Sequence, residues 1–234
     1  MKRSIKLRVL VYLALSLGMV AGPTGMARQQ SLTLDQILNR MDHRGATLKS
    51  MSSSISQKRW TDILEEFDEG ESGHLYFLKE KDKVYLRKDI PKPQRNSLIV
   101  RDGEVLYYQP KIKQLQKYNL GQNKNRAEFL LLGFGSDKQV LQKTYDIRLI
   151  AKEEINRVET YQLELIPKLD QVSAFFSKIT LWIDTTLWVP IQQKLVEPTG
   201  DYLLIRFSDI ELNAEVSRSR FDLKVPGDVR IVGQ

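Results

Sequence analysis

The amino-acid sequence predicts an α+β fold that is mainly β: a curved antiparallel sheet forming an incomplete barrel of about eleven strands, with short helices against one face. Beyond the first fifty residues, apolar residues recur mostly with a period of two, which is typical of strands. Only two helix starts carry a clear capping signature. Strands and helices do not alternate in the rhythm that builds a parallel sheet.

The first 27 residues have the pattern of a secretory signal peptide. A basic start precedes an apolar run from Val9 to Ala21, and Gly25-Met26-Ala27 places small residues where signal peptidase reads the chain. We expect cleavage after Ala27, leaving residues 28–234 as a single domain. An uncleaved N-terminal anchor is the alternative.

Charge and cysteine content restrict the function. The net charge of +7 includes four basic residues of the predicted signal, so the mature chain carries +3, and we expect no nucleic-acid partner. Cysteine is absent, which excludes disulfides and thiolate chemistry.

The mature chain is predicted to open with a helix. Thr33 and Gln36 form a capping box, and apolar residues follow at helical spacing. Gly45 is predicted to end this helix.

Six strands are predicted to follow, and they are connected by short turns. Their ranges are 52–63, 73–79, 84–90, 97–101, 104–109 and 114–119. Asp102-Gly103 is the preferred pair for a type I′ hairpin, which sets Arg101 opposite Glu104 and Leu98 opposite Tyr107. Both faces of this hairpin are apolar at its centre. We therefore expect packed protein on one face and a cavity, a lid or a ligand on the other.

The segment EFLLLGFGSD, residues 128–137, is too short to span a bilayer and too apolar to lie in water. Ser136 and Gln139 form a second predicted capping box directly after it. The segment is therefore predicted to lie on a helix or between helices, with protein covering it.

The second half of the chain returns to strands. The predicted ranges are 145–152, 158–166, 178–184, 191–196 and 202–210, with a short helical passage at 172–176. The final stretch FDLKVPGDVRIV is predicted to be a closing strand or an extended segment on the rim.

Catalytic groups are scarce. His43 and His74 lack metal-ligand spacing and have no cysteine to join, so we predict no enzyme activity, metal or other cofactor. Asp184 is interpreted as the start of an Asp-Thr-Thr turn, and Trp182 and Trp188 as packing residues.

The order of these parts resembles the periplasmic outer-membrane lipoprotein carrier family. The most specific matches are the hairpin LIVRDGEVLYYQP and the end FDLKVPGDVRIV. The resemblance implies a hydrophobic cavity closed by a helical lid. It also implies transport of acylated lipoproteins or lipids, without chemical change, from an inner-membrane ABC transporter of the lipoprotein-release type to an outer-membrane acceptor. We expect a periplasmic protein, which we take to be a monomer.

Site residues follow from this resemblance together with the alternation of the strands. The lid is predicted to include Phe129, Leu130, Leu132 and Phe134, with Gly133 and Gly135 as hinge or helix-ending positions. The predicted cavity residues are Leu75, Phe77, Tyr85, Leu98, Val100, Val105, Tyr107, Ile179, Leu181, Ile183, Leu203, Ile205 and Phe207.

The chain departs from the family at one position. Where the family has an arginine followed by proline, with the arginine bonded to the closed lid, this sequence has Lys79-Glu80. Lys79 is therefore a candidate lid latch of lower specificity, because an ammonium lacks the rigid fork of a guanidinium. A lipid-sensing regulatory protein with the same fold is the alternative function.

Overall fold

The computed structural model describes residues 32–81, 83–92, 95–119, 131–135 and 137–233. Its helices are α1 (Leu34–Thr47), α2 (Lys138–Thr144) and the single turn α3 (Asp170–Ser173), with 3₁₀ turns at Asp62–Leu64, Pro110–Ile112 and Arg218–Phe221. In chain order the strands are β1 (Ser50–Thr61), β2 (Glu66–Phe67), β3 (Glu71–Glu80), β4 (Lys83–Lys92), β5 (Asn96–Arg101), β6 (Glu104–Gln109), β7 (Gln114–Asn119), β8 (Tyr145–Ile155), β9 (Val158–Pro167), β10 (Lys178–Asp184), β11 (Pro190–Val196), β12 (Tyr202–Leu212) and β13 (Arg230–Gly233).

The thirteen described strands belong to one curved sheet, which confirms the predicted fold class. Their order is β13-β7-β6-β5-β4-β3-β1-β12-β11-β10-β9-β8, with the short β2 paired to β1. Among these strands, β8 and β13 each have a neighbour on one side only, so the sheet is not closed into a barrel. The pairing is antiparallel except between β13 and β7, where it is parallel.

The β5–β6 hairpin has the predicted register, with Arg101 opposite Glu104 and Leu98 opposite Tyr107. Asp102 and Gly103 have φ of 47° and 82°. Positive φ at both central residues is what a type I′ turn requires, and it matches the twist of the strands. This turn fixes which residues of the hairpin share a face.

Helix α1 begins as predicted and ends later than predicted. The Thr33 side chain accepts from the Gln36 amide, and the Gln36 side chain accepts from the Thr33 amide. Gly45 lies inside the helix, so its predicted role as the stop is wrong. Helix α2 is capped by Asp137, one residue after the predicted Ser136, which lies outside the described residues.

The two faces of the sheet carry separate apolar clusters. We call the face that supports α1 the inner face. Its cluster joins Ile37, Leu38 and Met41 of α1 to residues of most strands. The opposite, outer face carries a smaller cluster around the β5–β6 hairpin: Tyr85, Ile99, Leu106, Leu115 and Phe221.

The final part of the chain covers this outer cluster. Phe221 is fully buried there, and Val216, Leu223, Val225 and Val229 pack around it. We call residues 216–229 the C-terminal cover. The outer face of the hairpin thus meets packed protein, as expected for one of its two faces, and this protein is the C-terminal part of the chain.

Candidate functional site

The inner face brings together most of the predicted cavity residues, because alternate residues of neighbouring strands lie on one side of a sheet. Eight of them are buried in the inner cluster: Leu75, Phe77, Val100, Ile179, Leu181, Ile183, Ile205 and Phe207. Three others pack against it with partial exposure: Leu98, Val105 and Leu203.

Tyr107 shares this face by alternation, since Val105 on the same strand belongs to the inner cluster. It is half-buried, and burial, reinforced by the negative charge of Glu71, raises the pKa of its hydroxyl. The site is therefore apolar with a polar margin at this point.

Tyr85 lies on the outer face, so its prediction as an inner-face residue is wrong. It pairs with Leu78, whereas the next residue, Leu86, pairs with Phe77 and belongs to the inner cluster. Its ring packs 5.7 Å from the ring of Phe221, and the Arg218 guanidinium lies 4.2 Å from its centroid. An outward-facing aromatic residue is buried here because the C-terminal cover lies over it.

The structure describes residues 131–135 of the predicted lid, which we call the lid segment. The other two predicted lid residues, Phe129 and Leu130, lie outside the described residues. Leu132 and Phe134 are 6% and 2% exposed and belong to the inner cluster. The Phe134 ring meets the Phe207 ring edge-on, with the centroids 4.8 Å apart. The described part of the apolar segment is thus covered by the inner face of the sheet.

Glycine permits the close approach of the lid segment to its neighbours. A Cβ on Gly45 would lie 2.5 Å from Gly135 Cα, and one on Gly133 would lie 3.2 Å from Pro190 Cδ. Gly133 and Gly135 have φ of 88° and 112°, which other residues rarely adopt. Gly45 of α1 is therefore a contact position for the lid segment. From the sequence alone it was interpreted as the end of the helix, and this contact was missed.

A side-chain amide connects the lid segment to the sheet. Gln193 Nε2 on β11 donates to the Leu132 carbonyl oxygen at 2.8 Å, in a buried setting. Gln193 is fully buried, and its Oε1 has no partner within the described structure. The predicted latch, Lys79, has an exposed side chain, and no described hydrogen bond or ion pair joins that side chain to residues 131–135. Among the described residues, the side-chain hydrogen bond to the Leu132 carbonyl therefore comes from Gln193 on β11 and not from Lys79 on β3.

Sequence reasoning missed Gln193, although a signal was present. On β11 it occupies the same face as Leu195, which belongs to the inner cluster. A polar residue in a row of apolar positions is costly to bury without a partner. Such a residue therefore indicates a specific contact.

The other residues considered for chemistry are either exposed or bonded within the sheet and its turns. His43 and His74 are exposed. Asp184 Oδ1 accepts from the amides of Thr186 and Leu187 at 2.5 and 2.8 Å, which confirms the predicted turn. Trp182 Nε1 donates to Glu153 Oε1 at 2.6 Å.

These observations define a class of fold: an open curved sheet with an apolar inner face and an apolar segment buried against it. Residues 46–224 match the model of the outer membrane lipoprotein carrier protein LolA family. The match spans most of the chain, so the protein belongs to this family, and the predicted resemblance is confirmed.

Similar proteins extend this comparison at the level of the fold. An uncharacterized protein of Methanocaldococcus jannaschii is 23% identical over 227 residues, which are 94% of this chain and 60% of that protein. An uncharacterized conserved protein of Thermus thermophilus has a similar structure, with a TM-score of 0.56 and 14% identity over 86% of this chain and 98% of that one. MucB gives a TM-score of 0.52 and 15% identity over 81% of this chain and 62% of its own. No helix in the described ranges is long and apolar enough to cross a membrane.

Proposed function

We propose that this protein is a periplasmic carrier that binds the acyl chains of lipoproteins or related lipids on its inner face and moves them from the inner to the outer membrane. The proposal rests on the lid segment, an apolar stretch whose Leu132 and Phe134 side chains are buried against the apolar inner face of the sheet. Membership of the lipoprotein carrier family supports it. Residues 1–27 would act as the secretory signal, and residues 28–234 as the lipid-binding domain.

Apolar burial provides the driving force. An acyl chain of about fifteen methylenes gains about 12 kcal/mol when it leaves water, at ~0.8 kcal/mol per methylene. Displacing the side chains of Leu132 and Phe134 costs about 1.5–3 kcal/mol each. An acyl chain can therefore replace the lid segment, and release requires a partner that offers a better apolar site or stabilises the closed form.

Lipid retention tests the proposal. The protein is purified from a periplasmic extract, and bound lipid or acylated protein is identified by mass spectrometry. We expect bound acyl chains in the wild type and a several-fold loss in Leu203→Asp. Leu203 is a partly exposed residue of the inner face that stays on the sheet when the lid segment is displaced, and a carboxylate there disfavours contact with an acyl chain. Val140→Asp is the matched control, since Val140 is 60% exposed on α2.

A wild-type protein that carries no lipid and takes up none from vesicles would sink the proposal. Transfer to acceptor vesicles then separates the two functions that the sequence left open. A carrier depletes donor vesicles of acylated protein in the presence of an ABC transporter of the lipoprotein-release type and an outer-membrane acceptor. A lipid sensor binds lipid and changes its affinity for a protein partner without net transfer.

A further inference from the structure

Polar residues interrupt the apolar rows of the inner face at one place. On β4 the inner-face residues are Leu86, Lys88 and Ile90. Leu86 and Ile90, on either side of Lys88, belong to the inner cluster. On β1, Gln57 follows Ile55 on the same face, and Glu71 of β3 lies directly opposite Gln57. A charged group at an apolar position is costly to bury, so a specific use is expected.

The three side chains form a chain of hydrogen bonds. Lys88 Nζ donates to Gln57 Oε1 at 3.1 Å, and Gln57 Nε2 donates to Glu71 Oε2 at 2.8 Å. Within the described residues, no ion pair of 4.0 Å or less joins Lys88 to Glu71 or to another acid. The Gln57 amide therefore holds a cation and an anion apart on one surface.

Both charges keep unused hydrogen-bonding capacity. An ammonium has three donors and a carboxylate has two acceptor oxygens, and the described structure uses one of each here. Burial lowers the pKa of Lys88, and Glu71 opposes this shift. A direct ion pair would offset more of that desolvation, so the separation of the charges is retained at a cost in stability.

A fourth polar side chain, Tyr107, lies on the same face, two strands away from Lys88. Lys88 faces Leu98 on β5, and Leu98 faces Tyr107 on β6. The Tyr107 hydroxyl has no hydrogen bond to another described residue. It adds a donor that a ligand with acceptor oxygens can use.

We propose that Lys88, Gln57 and Glu71 form a head-group subsite for a zwitterionic phospholipid. The phosphate oxygens accept from the Lys88 ammonium, the amine of the head group donates to Glu71, and the acyl chain lies on the neighbouring apolar residues. A purely anionic head group would meet repulsion from Glu71, and an uncharged one would leave the Lys88 charge uncompensated. This inference rests on the proposed function and specifies the head group of its ligand.

Three lipids with one identical acyl chain test the subsite: lysophosphatidylethanolamine, lysophosphatidic acid and monoacylglycerol. Their affinities for the purified protein are measured by titration calorimetry below their critical micelle concentrations. We expect the zwitterionic lipid to bind at least tenfold more tightly than monoacylglycerol. Free phosphoethanolamine is the head-group control, and we expect it to bind at least a hundredfold more weakly than the lipid that carries it.

Substitutions assign the preference to the two charges. Lys88→Met should remove the preference for lysophosphatidylethanolamine over monoacylglycerol, because the phosphate loses its cation and the uncharged lipid no longer leaves an ammonium uncompensated. Lysophosphatidic acid should become the weakest of the three ligands, since Glu71 still repels it. Glu71→Gln, which keeps an acceptor for Gln57, should make lysophosphatidic acid the preferred ligand. Lys194→Met is the matched control, because Lys194 is a partly buried lysine on the outer face, stacked on Tyr202 with Nζ 3.8 Å from the ring centroid.

Two results overturn the subsite: equal wild-type affinity for the three lipids, or a wild-type preference that persists in Lys88→Met. If Lys88→Met does not fold, the affinities of the wild type and of Glu71→Gln for the three lipids still test the subsite. Failure of the proposed function is a separate outcome, in which the wild type binds none of the three lipids, monoacylglycerol included.

Discussion

The sheet has an apolar surface on each face, and the described contacts hold the two covers differently. The C-terminal cover lies on the outer face with many polar anchors to the strands: Arg87 Nη1 to the Arg220 carbonyl at 2.6 Å, Arg101 Nη1 to Asp222 Oδ1 at 2.8 Å, and Lys113 Nζ to Asp228 Oδ2 at 2.5 Å. It continues into β13, which pairs with β7. The lid segment lies on the inner face through the buried side chains of Leu132 and Phe134, and the Gln193 amide donates to its Leu132 carbonyl.

Apolar burial therefore serves two purposes. Several directional bonds to charged groups favour one fixed position, because each is lost when the segment lifts. Apolar contact has no preferred direction, which is why the proposed function has an acyl chain substitute for the lid segment. In the proposed carrier, bonds to charged groups fix the C-terminal cover and apolar contact leaves the lid segment exchangeable. Substitutions in both segments test this comparison.

The largest effect is expected from Phe221→Ala in the outer cover. Phe221 is fully buried between the strands and the cover, so we expect a loss of about 3–5 kcal/mol in the free energy of unfolding, measured by urea denaturation. Phe134→Ala is the matched change in the lid segment, and we expect it to cost less, because a segment that opens locally cannot lose more than its docking free energy. Equal losses for the two variants would contradict the comparison.

Gly45→Ala should move the lid segment away from α1, although alanine favours the helical conformation of α1. Alanine raises the helix propensity of α1 by about 1 kcal/mol, but its Cβ would fall 2.5 Å from Gly135 Cα. We expect faster amide exchange in residues 131–135, measured by mass spectrometry, with unchanged exchange in the C-terminal cover. Ala46→Gly, at an exposed position of the same helix, is the control for helix propensity. Wild-type protection of residues 131–135 in Gly45→Ala would show that the contact is tolerated.

Gln193→Leu should have the smallest effect, and it should be local. The substitution removes the bond to the Leu132 carbonyl, worth about 1–2 kcal/mol, and also removes the unpartnered Oε1. We expect about tenfold faster exchange in residues 131–135 with a change in global stability below ~1 kcal/mol. Gln192→Leu is the adjacent control, because its Oε1 accepts from Arg206 and not from the lid segment. Wild-type amide exchange of residues 131–135 in Gln193→Leu would show that the Gln193 amide does not anchor the lid segment.

Much of the fold could be predicted, because its signals are local. The Asp102-Gly103 turn fixes the hairpin register through backbone conformation, and Thr33 with Gln36 fixes the start of α1. Twelve of the thirteen predicted cavity residues lie on the inner face, since alternation sets the phase of a strand wherever apolar and polar residues alternate cleanly. The prediction for Tyr85 was wrong because Val84, Tyr85 and Leu86 are all apolar. Alternation therefore does not show which of these β4 residues face inward.

By itself, the sequence determined the strands, their turns, the family and the apolar character of the lid segment. The tertiary structure decided which group anchors that segment, why Gly45 lacks a side chain, and what covers the outer hairpin face. It also placed Lys88, Gln57 and Glu71 in one cluster. These features depend on contacts between residues far apart in the chain. Gln193 and Leu132, or Tyr85 and Phe221, meet because the sheet brings their strands and segments together, and no local pattern encodes such a meeting.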